Sequence, residues 1–231
     1  MIRPTNVQKR NTYPTSDGKP MAETDLHRDL MLDLIETLKW WFRDEPTTYV
    51  SGNLLVFYDR GNKRIHVSPD VFVVPGVGMR QRENYLTWEE GRGLDVVIEL
   101  TSRTTMIEDI ETKYNLYLER LGTKEYFLFD PRAEYLTPSF QGYRRWRNKF
   151  VPIKPTDGRL ASKVLGLHLE REGTQMRLWD PATSGWLPTS RERAREAEER
   201  ADAEADRADA EAKRADRLQR ELDELRRKLG G

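Results

Sequence analysis

The chain has 231 residues, with 39 Lys+Arg balancing 39 Asp+Glu, no cysteine and three histidines. That length suits one well-buried domain plus an extension; the missing cysteines exclude a disulfide framework, a thiolate zinc site, an iron–sulfur cluster and a cysteine nucleophile, and three scattered histidines argue against an all-histidine metal site. A net charge of zero excludes a uniformly basic nucleic-acid binder, and no apolar run approaches the roughly 18 residues that span a bilayer, so a soluble, cytoplasmic protein is expected.

Residues 1–21 read as an N-terminal arm, because Pro4, Pro14, Gly18 and Pro20 interrupt any regular element. Between residues 22 and 43, Leu26, Leu30, Leu34, Leu38 and Trp41 recur at intervals of three and four, which predicts an amphipathic helix. Three strand-like stretches follow: 48–58, closed by the Asp59-Arg60-Gly61-Asn62 turn; 64–74, ended by Pro75-Gly76; and 94–100. Residues 77–93 read as a loop with a helical turn at 87–90. A second helix is expected over 106–121, burying Ile107, Ile110, Tyr114, Tyr117 and Leu121 and stopping at Gly122. Residues 125–129 form another short strand, stopped by Asp130-Pro131, and 141–154 and 164–179 predict further hairpins. The order is helix, three strands, helix, strand. The apolar run Val96-Val97-Ile98 between helices points to a sheet covered on both faces, an α/β sandwich.

The composition changes near Pro188, which sets a globular domain over 22–188 apart from a charged segment over 189–231. All 22 aromatic residues lie at or before Trp186. The tail repeats every seven residues from Ala201, and its content predicts a helix of about 60 Å at ~1.5 Å per residue. Leu218, Leu222, Leu225 and Leu229 have coiled-coil spacing, continued backward mostly by alanine. Two readings follow: a solvated single helix, or a coiled coil that joins subunits into a homo-oligomer through residues 190–231.

Two acids interrupt apolar strands. Asp70 follows Pro69 among Val67, Val71, Phe72, Val73 and Val74, and Glu99 lies between Ile98 and Leu100. A carboxylate inside an apolar strand is costly unless something pairs with it. Period-two alternation places Val97, Glu99 and Thr101 on one face. Lys113 lies on the flank of the following helix, with a stem long enough to lie on the sheet and bring its ammonium to a strand end. Such hard oxygen ligands suit Mg2+ or Mn2+. Each residue also has a plainer reading: Asp70 as a turn cap, Glu99 as a salt-bridge partner of Lys113, and Lys113 as the i+4 partner of Asp109. Glu23 and His27, a turn apart on the first helix, are accessory candidates; His66 and His168 read as packing or surface residues.

Ser68-Pro69-Asp70, Ile98-Glu99-Leu100-Thr101-Ser102-Arg103-Thr104, Asp109, Lys113, Tyr117, Gly122, Glu125-Tyr126 and Phe129-Asp130-Pro131, taken in order, resemble the Uma-two family of restriction endonucleases, in the PD-(D/E)xK nuclease superfamily. The resemblance covers about residues 22–179. It implies a restriction-endonuclease-like fold, with Asp70 and Glu99 as ligands of a catalytic Mg2+ or Mn2+. Where the superfamily has lysine two residues after the second acid, this chain has Thr101. The resemblance implies that Lys113 takes over the task of positioning the attacking water and stabilising charge on the phosphate.

The run Tyr143-Arg144-Arg145-Trp146-Arg147-Asn148-Lys149-Phe150 combines bases and aromatics as phosphate contact and base stacking require. Arg144, Arg145, Trp146, Arg147 and Lys149 are therefore candidate nucleic-acid contacts, and the same pattern occurs on ordinary protein surfaces. Two functions stand side by side: a metal-dependent endonuclease acting on DNA, and a non-catalytic binding module of the same fold assembled through its tail. A glycosidase-like carboxylate pair is disfavoured by the lysine and by the resemblance.

Overall fold

The computed structural model describes residues 13–16, 24–102, 105 and 107–229. The elements in order are α1 (Asp25–Trp41), β1 (Thr48–Ser51), β2 (Val56–Phe57), β3 (His66–Val67), β4 (Val71–Pro75), β5 (Tyr85–Leu86), the short α2 (Thr87–Glu90) and β6 (Val96–Leu100). A helix with two wide, π-type segments, Glu108–Lys113 and Leu116–Arg120, comes next. It leads into β7 (Glu125–Phe129), β8 (Phe140–Trp146), β9 (Lys149–Pro152), β10 (Arg159–Ala161), β11 (His168–Glu172), β12 (Gln175–Asp180), β13 (Gly185–Trp186) and α3 (Ser190–Leu229). The wide helix is called the site helix below.

The main sheet has the order β1-β4-β6-β7-β8-β9. Its β6–β7 pair is parallel and is bridged by the site helix; the other pairs are antiparallel. Both faces are covered, as a buried parallel pair requires. On one face α1 sets Leu30, Leu34 and Leu38 against Val71, Val73, Val96, Ile98 and Leu100, with Leu167 and Leu169 alongside. On the other, Tyr117, Leu118 and Leu121 of the site helix pack with Phe72, Val97, Tyr126 and Leu128. This is an α/β sandwich with the expected core order of helix, three strands, helix and strand, extended by the four-stranded sheet β10-β11-β12-β13. At the start of α1, the Thr24 side chain accepts a hydrogen bond from the His27 amide, and Asp25 favours the positive helix end.

Several sequence expectations are corrected. The stretch 48–58 is two strands: β1 joins the main sheet, while β2 joins a separate three-stranded sheet, β3-β2-β5. The stretch 64–74 is likewise broken at Ser68-Pro69-Asp70, where proline has no amide to give to a ladder. The two breaks support one another: the Asn53 amide donates to the Pro69 carbonyl at 2.8 Å, and a Cβ on Gly52 would run into the Asp70 carbonyl. Ile107 and Ile110, expected in the core, are 66% and 41% exposed, whereas Asp109 is 1% exposed. A π-type turn holds more residues than an α-turn, so the helix rotates those two side chains outward and turns Asp109 inward. The end at Gly122 is as expected, with φ 65°. Tyr13, within the expected arm, is buried against Phe57 and Trp88.

Residues 188–231 form a second compact unit. Its helix α3 opens with a reciprocal cap: Thr189 Oγ1 accepts from the Glu192 amide at 3.2 Å, and Glu192 Oε2 accepts from the Thr189 amide at 2.8 Å. Along the helix, Lys213 Nζ stands 3.7 Å from Asp209, four residues before it, and Arg227 donates to the Asp223 carbonyl. Among the described residues no helix is long and apolar enough to cross a membrane.

Candidate active site

Strand register brings the two acids together. In the antiparallel β4–β6 pair, Val71 lies opposite Ile98 and Phe72 opposite Val97. One step further along the same register places Asp70 beside Glu99, on the face shared with Phe72 and Val97 and covered by the site helix. The Leu100 amide closes this junction by donating to Asp70 Oδ2 at 2.7 Å. From the first turns of α1, His27 Nε2 stands 3.1 Å from Asp70 Oδ1.

Glu99 is 1% exposed, and both its oxygens are held by the site helix. The Tyr117 hydroxyl donates to Oε1, and Lys113 Nζ lies 3.1 Å from Oε2. The same ammonium is 2.8 Å from Asp109 Oδ1. Lys113 is thus both the partner of Glu99 and the i+4 partner of Asp109. Residues 109, 113 and 117 recur at intervals of four, which is the sequence signal for this shared face.

The charges at the site act on one another strongly. Burial pushes the Glu99 carboxyl well above its usual range; Lys113 opposes this, while Asp70 and Asp109 push it further up. Burial likewise raises Asp109 against the pull of Lys113. Asp70 moves the other way: burial would raise it, but the hydrogen bond and charge of His27, the charge of Lys113 and the Leu100 amide together hold it below its usual value. For Lys113, burial disfavours the ammonium, and the carboxylates of Glu99, Asp109 and Asp70 outweigh it, so its pKa rises. Three carboxyl groups therefore share one lysine and one histidine, an arrangement short of basic partners.

That shortage, and a donor set of hard carboxylate oxygens, fit Mg2+ or Mn2+ at Asp70 and Glu99. Among the described residues no three Asp, Glu or His side chains cluster at metal-ligand spacing. The remaining coordination would fall to water and phosphate oxygens, the usual habit of Mg2+.

Of the other candidates, Thr101 is 3% exposed, and its hydroxyl donates to the Phe129 carbonyl at 3.3 Å, so it is turned to β7 rather than to the carboxylates. Glu23 lies outside the described residues. His66 packs at a tilt against Phe57, with ring centroids 5.3 Å apart, and His168 sits in β11 opposite Trp179. The basic and aromatic run is the β8–β9 hairpin. Arg144 is held by Glu125 at 2.8 Å and by the Ala161 carbonyl at 2.6 Å, and Arg145 donates to the Arg147 carbonyl at its turn. Tyr143 and Phe150 pack against Tyr114 of the site helix, while Trp146, Arg147 and Lys149 face solvent. Sequence reasoning gave Asp109 and Tyr117 no task of their own; the structure places both in contact with the site residues.

The model of the Uma2 family, described as "Putative restriction endonuclease", matches residues 6–171. No curated protein matches the chain. Among solved structures it is similar to a protein described as a "putative nuclease belonging to DUF820" from Anabaena variabilis ATCC 29413, with 17% identity over 66% of this chain and 80% of that one and a TM-score of 0.48.

Proposed function

This chain belongs to the Uma2 family, and from that membership we propose that it is a metal-dependent endonuclease that hydrolyses phosphodiester bonds in DNA at Asp70, Glu99 and Lys113. The observation that carries the reading is the junction itself: a Pro-Asp turn, a mid-strand glutamate and a helix-borne lysine meet on one sheet face, linked by the Leu100 amide and by the Lys113–Glu99 contact. Asp70 and Glu99 would hold Mg2+ or Mn2+, which would supply a bound water of lowered pKa and orient the phosphate. Lys113 keeps its proton, positions the attacking water and stabilises charge developing on the phosphate oxygens. His27 holds Asp70 in its rotamer, and Tyr117 and Asp109 hold Glu99 and Lys113. The water oxygen bonds to phosphorus as the bond to the in-line sugar oxygen breaks; the water's proton passes to solvent, and the leaving oxygen takes up a proton from solvent.

One observation favours the second reading, a non-catalytic module. Each of the four oxygens of Asp70 and Glu99 already has a protein partner: His27, the Leu100 amide, Tyr117 and Lys113. Cleavage of supercoiled plasmid with Mg2+ or Mn2+ separates the two readings. The nuclease reading expects nicking by the wild type that is lost in Asp70→Ala, Glu99→Ala and Lys113→Ala. Equal cleavage by wild type and variants, or none by any of them, overturns it.

A further inference from the structure

Over its 40 residues α3 has no buried side chain, yet its last turns carry Leu218, Leu222, Leu225 and Leu229, exposed by 54%, 43%, 58% and 85%. Spacings of four, three and four put them on one stripe, at heptad positions d, a, d and a. Continued toward the N-terminus, the a positions are Ala215, Ala208 and Ala201, and the d positions are Glu211 and Glu204. The seam is therefore bulky and apolar only from Leu218 onward. An apolar stripe on a helix that is otherwise polar all round is a surface for another helix.

The charges flanking the stripe point to the occupant. Arg214 and Glu221 fall at g positions, and Gln219 and Arg226 at e positions. In a parallel pair each g side chain meets the e side chain of the next heptad on the other strand. Glu221 then meets Arg226 of the partner subunit, twice by symmetry, and Arg214 meets a neutral Gln219, so no like charges meet at these flanking positions; the d-position Glu211 and Glu204 would face their own copies, which confines the pairing to the leucine turns. An antiparallel pair aligns g with g and loses both Glu221–Arg226 contacts.

We infer that the stripe formed by Leu218, Leu222, Leu225 and Leu229 pairs in parallel with the same stripe of a second copy of this chain. Two leucine heptads followed by alanine make a short seam, so the pair is a reversible dimer whose population depends on concentration. The inference does not depend on the nuclease reading, since it is read from mass and not from cleavage.

Sedimentation equilibrium of the full chain tests it, with four variants. The wild type is expected to rise from one chain mass toward two with concentration, and Leu222→Glu/Leu225→Glu to stay at one while its globular unit melts as before. Glu221→Lys is expected to weaken the dimer by roughly threefold to tenfold, with Glu221→Lys/Arg226→Glu restoring it. Because the chain has no cysteine, Ala215→Cys supplies a single thiol at an a position, and mild oxidation is expected to link two parallel copies covalently. A single-chain mass for the wild type at all concentrations, or a doubled mass that survives the paired leucine substitutions, overturns the dimer. Failure of the charge swap to restore pairing, or of the thiols to join, overturns the parallel register.

Discussion

Lys113 and Glu99 meet across two different elements, with the ammonium 3.1 Å from Oε2 and the carboxylate sealed at 1% exposure. A lysine two residues after the glutamate would lie on the same strand; here the charge arrives from the site helix, and Thr101 in the strand position turns its hydroxyl to the Phe129 carbonyl. Lys113→Ala is therefore expected to lower the cleavage rate by about 100- to 1000-fold, the usual effect of losing one charge that faces the transition state. Thr101→Ala is expected to leave cleavage near wild type. Single-turnover kinetics on a plasmid or oligonucleotide duplex reads both.

Tyr117 donates to the other oxygen of Glu99 from a fully buried position. Tyr117→Phe keeps the ring packed on Tyr126 and removes only the hydroxyl, leaving Oε1 with one donor fewer. The expected cost is about 1–3 kcal/mol of stability, the range for a buried acceptor stripped of its partner. A higher Mg2+ concentration for half-maximal cleavage should accompany it, because Glu99 is then less well held. Chemical denaturation and a metal titration of activity check the two halves separately.

Arg144 was a candidate for phosphate contact, but Glu125 and the Ala161 carbonyl hold its guanidinium. Glu125 also accepts from the Ser162 hydroxyl and the Lys163 amide, so this network ties β7 to the segment beyond β10. Arg144→Ala is expected to lower stability by about 1–3 kcal/mol by leaving a buried carboxylate short of a donor. Arg147→Ala and Lys149→Ala, both on exposed positions, are expected to leave stability unchanged and to weaken DNA binding. Thermal melts beside fluorescence-anisotropy binding at two salt concentrations distinguish the roles.

Glu90 gives the fold a pH dependence away from the site. Hydrogen bonding to Arg82 lowers its pKa below the usual carboxylate value, burial works against this, and the charges of Arg82 and Arg80 add to the lowering. A carboxyl with a depressed folded pKa contributes stability that is complete above its unfolded pKa and is lost as pH falls through the folded value. Tm is therefore expected to fall as pH drops below about 4.5, the ordinary carboxylate range. Glu90→Gln should be less stable at neutral pH and show a shallower acid decline. A parallel acid decline in both proteins would remove Glu90 from the account.

Much of the core was legible because it depends on periodicity. The spacing of Leu30, Leu34 and Leu38 fixed the face of α1, and alternation in β6 correctly divided Ile98 and Leu100 from Val97 and Glu99. Asp70 and Glu99 stood out because a charge inside apolar sequence is costly without a partner. What escaped depends on tertiary contact. The break between β1 and β2 rests on the close approach of Gly52 to Asp70. The outward turn of Ile107 and Ile110 rests on the widened turns of the site helix, which a 3.6-residue repeat does not describe. His27 stood out as an accessory candidate on the first helix, but its pairing with Asp70 depends on α1 packing beside β4, a contact no local spacing encodes.

The most direct test of the central claim is Mn2+ binding, followed by electron paramagnetic resonance of the free ion, in the wild type and in Asp70→Asn and Glu99→Gln. Both substitutions keep side-chain size and remove one negative charge. Mn2+ held by the wild type and bound at least about tenfold more weakly by each variant, with folded melts retained, is the predicted result. Equal Mn2+ binding by all three proteins would contradict a shared metal at Asp70 and Glu99, and with it the catalytic site proposed for this chain.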